Sequence, residues 1–115
     1  MNMRKFSSRQ EKSIAKKFGG KKISNSGATS FDKGDVKLED FLIEAKTCVN
    51  RKESFSIKSE WLEKINKERF SSRKRFCALV FQFEPDGENY FVIDERTFKQ
   101  FLNLLDKERE EKNVI

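Results

Sequence analysis

The sequence predicts a single α/β domain in which a mixed β-sheet is flanked by helices, in the order α-β-β-β-α-β-β-α. Two apolar segments, 40–49 and 76–83, are typical of central strands. A length of 115 residues suits one domain, and twelve phenylalanines can supply its core although 38% of the residues are charged. We therefore expect one domain over 1–115, with flexible ends at 1–7 and 107–115.

The first predicted element is a helix over about residues 8–18. Ser7 or Ser8 can cap its beginning, and Gly19-Gly20 would end it because glycine tolerates the left-handed conformation found after helices. Basic side chains surround this element. It is therefore the natural place to look for contacts with an anion.

Strands are expected to follow the first helix. A short strand is predicted at 21–24, then a polar loop at 25–30, then the longer apolar strand at 40–49. Phe55 and Ile57 are interpreted as a further short strand. Together these segments predict one side of a sheet.

The second half of the chain predicts a helix, a hairpin and a last helix. Ser56 is the expected cap of a helix over 58–70, whose apolar residues recur at helical spacing: Trp61, Leu62 and Ile65. The strand 76–83 and a strand at 90–93 should be joined by a turn at Pro85-Asp86-Gly87. Asp94 should cap a final helix that bears an apolar stripe: Phe98, Phe101, Leu102 and Leu105.

Basic residues dominate the N-terminal part of the chain. The formal net charge is +6, and residues 1–24 hold Glu11 as their only acid among these bases: Arg4, Lys5, Arg9, Lys12, Lys16, Lys17, Lys21 and Lys22. Such a surface attracts polyanions, so nucleic acid is the expected partner and an anionic membrane surface a less suitable one. A basic protein without this function is the alternative.

Composition excludes several classes of protein. The chain has no histidine, so triads and metal sites that need imidazole are excluded. Cys48 and Cys77 lack the spacing of a zinc or redox motif and are expected to be buried thiols. No membrane span or secretory signal is indicated, and a cytoplasmic location is expected, in the nucleoid or in the cytoplasm of a phage-infected host.

Four residues carry the candidate chemistry. Glu44 and Lys46 are two positions apart in the predicted strand 40–49 and therefore project to one face. Asp35 precedes this strand, where a neighbouring segment can bring its carboxylate beside Glu44. Glu11 lies on the apolar face of the first helix. Carboxylates and one lysine are suited to metal-assisted phosphodiester hydrolysis.

Simpler interpretations of these residues remain open. Glu44 and Lys46 can form an internal ion pair with no catalytic role. Glu11 can form a capping box with Ser8, three residues before it. Lys58 can either reach toward the site or extend into solvent.

Two segments resemble the PD-(D/E)XK nuclease superfamily: Gly34-Asp35-Val36, with glycine in place of the usual proline, and Phe41-Leu42-Ile43-Glu44-Ala45-Lys46. Within it the chain is similar, over about residues 7–83, to Holliday junction resolvases of archaeal and phage type. These enzymes have a glutamate on the first helix and a polar Ser/Gly loop, for which Glu11 and Ser26-Gly27 are the counterparts here.

The resemblance implies a restriction-endonuclease-like fold and a metal-dependent, structure-selective endodeoxyribonuclease that resolves Holliday junctions. Mg²⁺, for which Mn²⁺ can substitute, would be bound by Glu11, Asp35, Glu44 and the main-chain carbonyl of Ala45. Lys46 would assist the attacking water. A homodimer acting on four-way DNA junctions is also implied.

Residues expected to contact DNA are basic, apart from one serine: Arg4, Lys5, Arg9, Lys16, Lys21, Lys22, Ser26, Arg73, Lys74 and Arg75. The last three lie between a helix and a strand and can instead be a solvated turn. Two other functions remain open. One is a nuclease of the same type that acts in nicking, repair or restriction, and the other is a non-catalytic nucleic-acid-binding protein.

Overall fold

The computed structural model describes residues 3–23 and 34–113. Their helices and strands, in chain order, are α1 (Met3–Phe18), β1 (Lys21–Lys22), β2 (Val36–Lys37), β3 (Phe41–Lys46), α2 (Ser59–Ser71), β4 (Phe76–Phe81), β5 (Tyr90–Val92) and α3 (Glu95–Asn113). The predicted α/β class, with a mixed open sheet and three helices, is confirmed.

The strands form one sheet in the order β1-β2-β3-β4-β5. Neighbours are antiparallel except β3 and β4, which run parallel from Phe41↔Phe76 to Lys46↔Phe81. Parallel neighbours require a crossover connection, and α2 supplies it. The carboxyl ends of β3 and β4 therefore meet at the same edge of the sheet.

Alternate residues of β3 face different helices. Ile43 and Ala45 belong to the apolar cluster that contains Ile14 of α1. Leu42 packs in a second cluster with Ile65 of α2. Glu44 and Lys46 share the face of Leu42, because side chains two apart in a strand point the same way. The candidate site therefore lies on the α2 face of the sheet.

Helix α1 begins earlier than predicted. It starts at Met3, so neither Ser7 nor Ser8 caps it. Its predicted C-terminus is confirmed: Gly19 has φ +70, and the N–H of Gly20 donates to the carbonyl of Ala15 over 2.8 Å.

One strand was predicted in the wrong place. Residues 55–57 are not a strand; the sheet instead includes β2, which was not predicted. The ring of Phe55 stacks on Phe81, with centroids 5.1 Å apart, so it is held by a side-chain contact rather than by strand pairing. Ser56 is not the cap of α2 either, since the N-cap position is Lys58 and makes no side-chain capping bond.

Helix α3 starts where the sequence predicts. Asp94 accepts a hydrogen bond from the N–H of Thr97 over 2.8 Å, which confirms the cap. The helix extends to Asn113. An exposed ion pair between Lys112 and Glu108, at 3.0 Å and four residues apart, supports this last part.

The apolar stripe of α3 is mostly exposed. Phe101 packs against Phe41 and Phe76, with centroids 6.0 and 5.7 Å away. The other members are about half exposed: Phe98 48%, Leu102 49% and Leu105 49%. Amphipathic spacing therefore predicted the helix correctly but not its burial.

The turn between β4 and β5 forms as expected, closed by a bond from the N–H of Gly87 to the carbonyl of Glu84 at 3.1 Å. Cys48 is a buried free thiol, as predicted, whereas Cys77 is only half-buried. In the part of the chain that the structure describes, no helix has the length and apolar character needed to span a bilayer.

Candidate active site

The β2–β3 pairing brings Asp35 beside Glu44. The N–H of Asp35 donates to the carbonyl of Ile43, and Asp35 Oδ2 accepts the N–H of Ala45, both over 2.8 Å. The carboxylate of Asp35 is thus held against β3 at the level of Glu44. This juxtaposition, expected from the sequence, is present.

Glu44 and Lys46 form an ion pair on the α2 face. Lys46 Nζ lies 3.4 Å from Glu44 Oε2, and Glu44 is 8% exposed. Lys64 of α2 lies 3.9 Å from the other oxygen, Oε1. This is the internal ion pair that the non-catalytic interpretation of Glu44 and Lys46 predicts, but Lys64 adds a further charged group beside it.

Lys46 is positioned by Trp61 and Gln10, neither of which was predicted to belong to the site. Its Nζ lies 4.4 Å from the ring centroid of Trp61, a cation–π contact. Its main-chain carbonyl accepts a hydrogen bond from the amide of Gln10 over 2.9 Å. Residues of both α1 and α2 therefore contact Lys46, at the end of β3.

Glu11 faces the same site from α1. Its Oε1 lies 3.7 Å from Lys22 Nζ, which also donates to Ser8 Oγ over 2.8 Å. Because Ser8 lies inside α1 rather than at its start, the capping-box interpretation of Glu11 is wrong. Lys22, one of the residues predicted to contact DNA, is therefore paired with Glu11.

Glu68 is a fourth carboxylate at the site that the sequence analysis missed. Its Oε1 accepts the N–H of Gly34 over 2.9 Å, and its Oε2 lies 3.6 Å from Lys64 Nζ. Glu68 follows Trp61 and Ile65 at i+7 and i+3 on α2, so it extends the stripe that predicted this helix. That spacing was the signal that could have identified it.

Glu11, Asp35 and Glu44 have raised pKa values. Burial, followed by the charge of Asp35, raises the pKa of Glu11 to about 7. Burial also raises the pKa of Asp35, although the N–H of Ala45 opposes the shift. The pKa of Glu44 is raised by burial and then by Asp35. Crowded buried acids of this kind favour protons or cations as neighbours.

The donor set suits a hard cation, but the side chains do not converge on one point. Within residues 3–23 and 34–113, no three carboxylate or thiol side chains come close enough together to hold a metal ion. Each acid has its own partner instead: Lys46 and Lys64 for Glu44, Lys22 for Glu11 and the N–H of Ala45 for Asp35. A metal ion could bind Glu44 and Glu11 only if the lysines paired with them moved away.

The basic residues predicted to contact DNA have different environments. Arg4, Lys5, Lys16 and Lys21 are exposed. Arg9 is paired with Asp86 at 2.5 Å, across the β4–β5 turn. Ser26 lies outside the described residues.

The second basic group does not flank the site. Arg73, Lys74 and Arg75 come immediately before β4, at the edge of the sheet opposite Lys46. The parallel register puts them about 20 Å from Lys46 along the strands. Strand direction, which the sequence did not reveal, decides this separation.

An open cleft of about 730 Å³ adjoins Lys46, lined in part by Thr47, Lys52, Phe55 and Trp61. Beside it an aromatic cluster crosses the sheet. Phe81 stacks on Phe55 with centroids 5.1 Å apart and on Tyr90 at 5.7 Å. No sequence pattern indicates this aromatic surface, because its members come from a loop and two strands.

Comparisons of the chain with models of protein families, with curated protein sequences and with solved structures found no match.

Proposed function

We propose that this protein is a metal-dependent endodeoxyribonuclease of the PD-(D/E)XK type with a restriction-endonuclease-like fold. The observation that carries the proposal is that Asp35 is held against β3 beside Glu44, which pairs with Lys46, and that Glu11 lies near enough for the charges of Asp35 and Glu44 to raise its pKa. These residues come from α1, the segment before β2 and β3. The three acids have raised pKa values, mainly through burial, as acids at functional sites often do.

The proposed cofactor is Mg²⁺, with Mn²⁺ as a substitute, bound by Glu11, Asp35, Glu44 and the carbonyl of Ala45. When bound, such an ion neutralises a scissile phosphate and makes water a better nucleophile. Asp35 is already fixed by the N–H of Ala45. Of the two lysines beside Glu44, Lys64 can turn outward, since its side chain is 62% exposed.

Lys46 has the role of a positioning and charge-stabilising group for the attacking water. Contact with the Trp61 ring keeps its ammonium beside Glu44. When Glu44 turns to a cation, the ammonium becomes available to a water or to the developing negative charge on phosphate. Lys46 would thus contribute through charge and orientation rather than through metal ligation.

The substrate proposed first is a four-way DNA junction cut by a homodimer during recombination or repair in the cytoplasm. The exposed stripe of α3 supplies a surface for a second copy. The N-terminal half of α3 is slightly basic, because it contains Arg96 and Lys99 but only one acid, Glu95. Residues 104–113 carry four acids and three bases. An antiparallel pairing of two α3 helices places these halves opposite each other.

Other nucleases of this type and a non-catalytic DNA-binding protein are the competing functions. Metal dependence distinguishes them, because binding alone survives a chelator whereas hydrolysis stops. The test is incubation of the purified protein with a labelled four-way junction and the matching linear duplex, in Mg²⁺, Mn²⁺ or EDTA. Lys46→Ala is the test variant and Lys107→Ala on the exposed part of α3 is its control.

Paired nicks in the junction that require metal and Lys46, but not Lys107, would support a resolvase. Cutting of both substrates would retain the nuclease and remove junction selectivity. Binding without cutting in either metal would overturn the catalytic proposal in favour of the binding protein.

A further inference from the structure

We propose that the cleft beside Lys46 receives an unpaired nucleotide, with its base against Phe55 and Trp61 and its phosphate beside lysine ammonium groups. This inference rests on the proposed function, because it assumes that the ligand is a polynucleotide. It goes further by naming the substrate class: a strand that presents an unstacked base next to the candidate active site.

The size and position of the cleft suit one nucleotide. Its volume of about 730 Å³ falls within the roughly 300–1,000 Å³ of small-molecule sites. Ala45 and Lys46, at the end of β3, form part of its lining. A nucleotide in the cleft would therefore be continuous with a phosphate at Glu44 and Asp35.

Aromatic side chains are held ready at two places in the cleft. The ring of Phe55 is stacked on Phe81, with an angle of 27° between the planes, so its position is supported before any ligand arrives. Trp61 lines the cleft from α2. Proteins that bind single strands use such rings because every base offers a flat face for stacking.

Lysines accompany each of these rings. Lys46 and Lys58 have their Nζ atoms 4.4 and 5.7 Å from the Trp61 centroid, and Lys52 Nζ lies 5.9 Å from that of Phe55. Rings for bases combined with ammonium groups for phosphates match the two parts of a nucleotide. Glu53 also lines the cleft, but its side chain is 93% exposed and can remain in solvent.

A base in an intact duplex cannot use this site. Its faces are covered by neighbouring base pairs, and freeing it costs unstacking and unpairing energy. A strand with an unpaired base does not have this cost. The cleft therefore favours single-stranded or branched substrates over continuous duplex.

Trp61 is the only tryptophan, so its fluorescence reports on the cleft directly. The full-length protein would be titrated in EDTA with single-stranded oligothymidylate, with a linear duplex and with thymidine monophosphate. We expect the single strand to quench Trp61 and to bind at least tenfold more tightly than the duplex or the mononucleotide.

Two variants and one control test the residues. Phe55→Leu retains an apolar contact with Phe81 but loses ring stacking, and it should weaken single-strand binding roughly tenfold. Lys52→Gln should reduce the slope of log affinity against log salt by about 1. Phe70→Leu is the matched control, because Phe70 is 68% exposed at the far end of α2 and should have no effect.

Equal effects of Phe55→Leu and Phe70→Leu, or equal affinity for duplex and single strand, would overturn the cleft proposal. So would a mononucleotide that binds as tightly as the oligonucleotide. Cleavage assays in Mg²⁺ separate this inference from the nuclease. If the protein cuts DNA equally well with and without Phe55, the proposal for the cleft is wrong and the nuclease proposal stands. If binding depends on Phe55 but no DNA is cut, the nuclease proposal is wrong and the proposal for the cleft stands.

Discussion

The N–H of Gly34 donates a hydrogen bond to Glu68 Oε1 over 2.9 Å, which ties the segment before β2 to helix α2. Gly34 has φ +75. Proline has no N–H and cannot adopt this angle, so it could not stand before Asp35 in this conformation. The bond holds the residue next to Asp35, and through it the carboxylate that faces Glu44.

Gly34→Ala should destabilise the protein more than Gly19→Ala. Both glycines have positive φ, which costs an alanine roughly 1–2 kcal/mol. A Cβ at Gly34 would also lie 2.8 Å from side-chain atoms of Leu42, whereas one at Gly19 would meet no atom within 4 Å. Urea denaturation of the two variants measures the difference, and equal midpoints would contradict the close packing at Gly34.

Glu11→Gln should stabilise the metal-free protein at pH 8 but not at pH 4.5. The pKa of Glu11 is raised to about 7 from 4.5, so the folded state binds more protons than the unfolded state between these values. The contribution of Glu11 to stability is complete below about pH 4.5 and is lost as the pH rises through 7. We expect a gain of roughly 1–3 kcal/mol at pH 8.

The measurement for Glu11→Gln is the free energy of unfolding in urea across this pH range. Glu63→Gln, on the exposed surface of α2, is the control and should follow the wild-type curve. A constant difference between Glu11→Gln and wild type at every pH would show that Glu11 does not titrate as the structure indicates.

Divalent cations should stabilise the protein, more at pH 8 than at pH 6. Binding must displace protons from acids whose pKa values are raised, Glu11 to about 7 among them. A concentration one hundred times the dissociation constant adds about 2.7 kcal/mol to the free energy of unfolding. Thermal unfolding with Mg²⁺, Mn²⁺ or EDTA measures this shift.

Glu44→Gln should abolish the shift, whereas Glu108→Gln on α3 should leave it unchanged. Glu44 is buried among the candidate ligands, while Glu108 is exposed and pairs with Lys112. A shift that persists in Glu44→Gln would place the cation elsewhere on the protein.

Leu102→Glu should convert a dimer to a monomer if two copies pair through α3. The side chain of Leu102 is at the centre of the exposed stripe and 49% exposed, so the substitution should hardly affect the folding of one copy. Sedimentation velocity measures the assembly state, with Phe70→Glu as a control on another exposed apolar residue. A wild-type protein that is monomeric at high concentration would remove α3 as an interface between copies.

Local pattern was sufficient for some residues of the candidate site. Alternation in β3 placed Glu44 and Lys46 on one face, as the structure shows. The cap at Asp94 and the helix end at Gly19 also follow from interactions within a few residues. Such features are determined by neighbours in sequence, so they can be predicted without knowing the fold.

Long-range contacts decided the remainder. Residues 55–57 were assigned to a strand, but Phe55 stacks on Phe81, a contact between residues far apart in the chain. The apolar stripe of α3 was predicted from its spacing, yet Phe98, Leu102 and Leu105 are about half exposed, whereas the ring of Phe101 packs against Phe41 and Phe76. Amphipathic spacing identifies a helix face and does not specify what covers it.

Sequence alone determined the α/β class, the pairing of a carboxylate with a lysine on one strand and the acids available for chemistry. The tertiary structure decided which other side chains lie beside these residues. The β2–β3 register brings Asp35 to Glu44, and the packing of α2 brings Glu68 and Trp61 to the same site. The physical reason is that side-chain direction depends on local backbone geometry, whereas proximity between separate elements depends on how the whole chain packs.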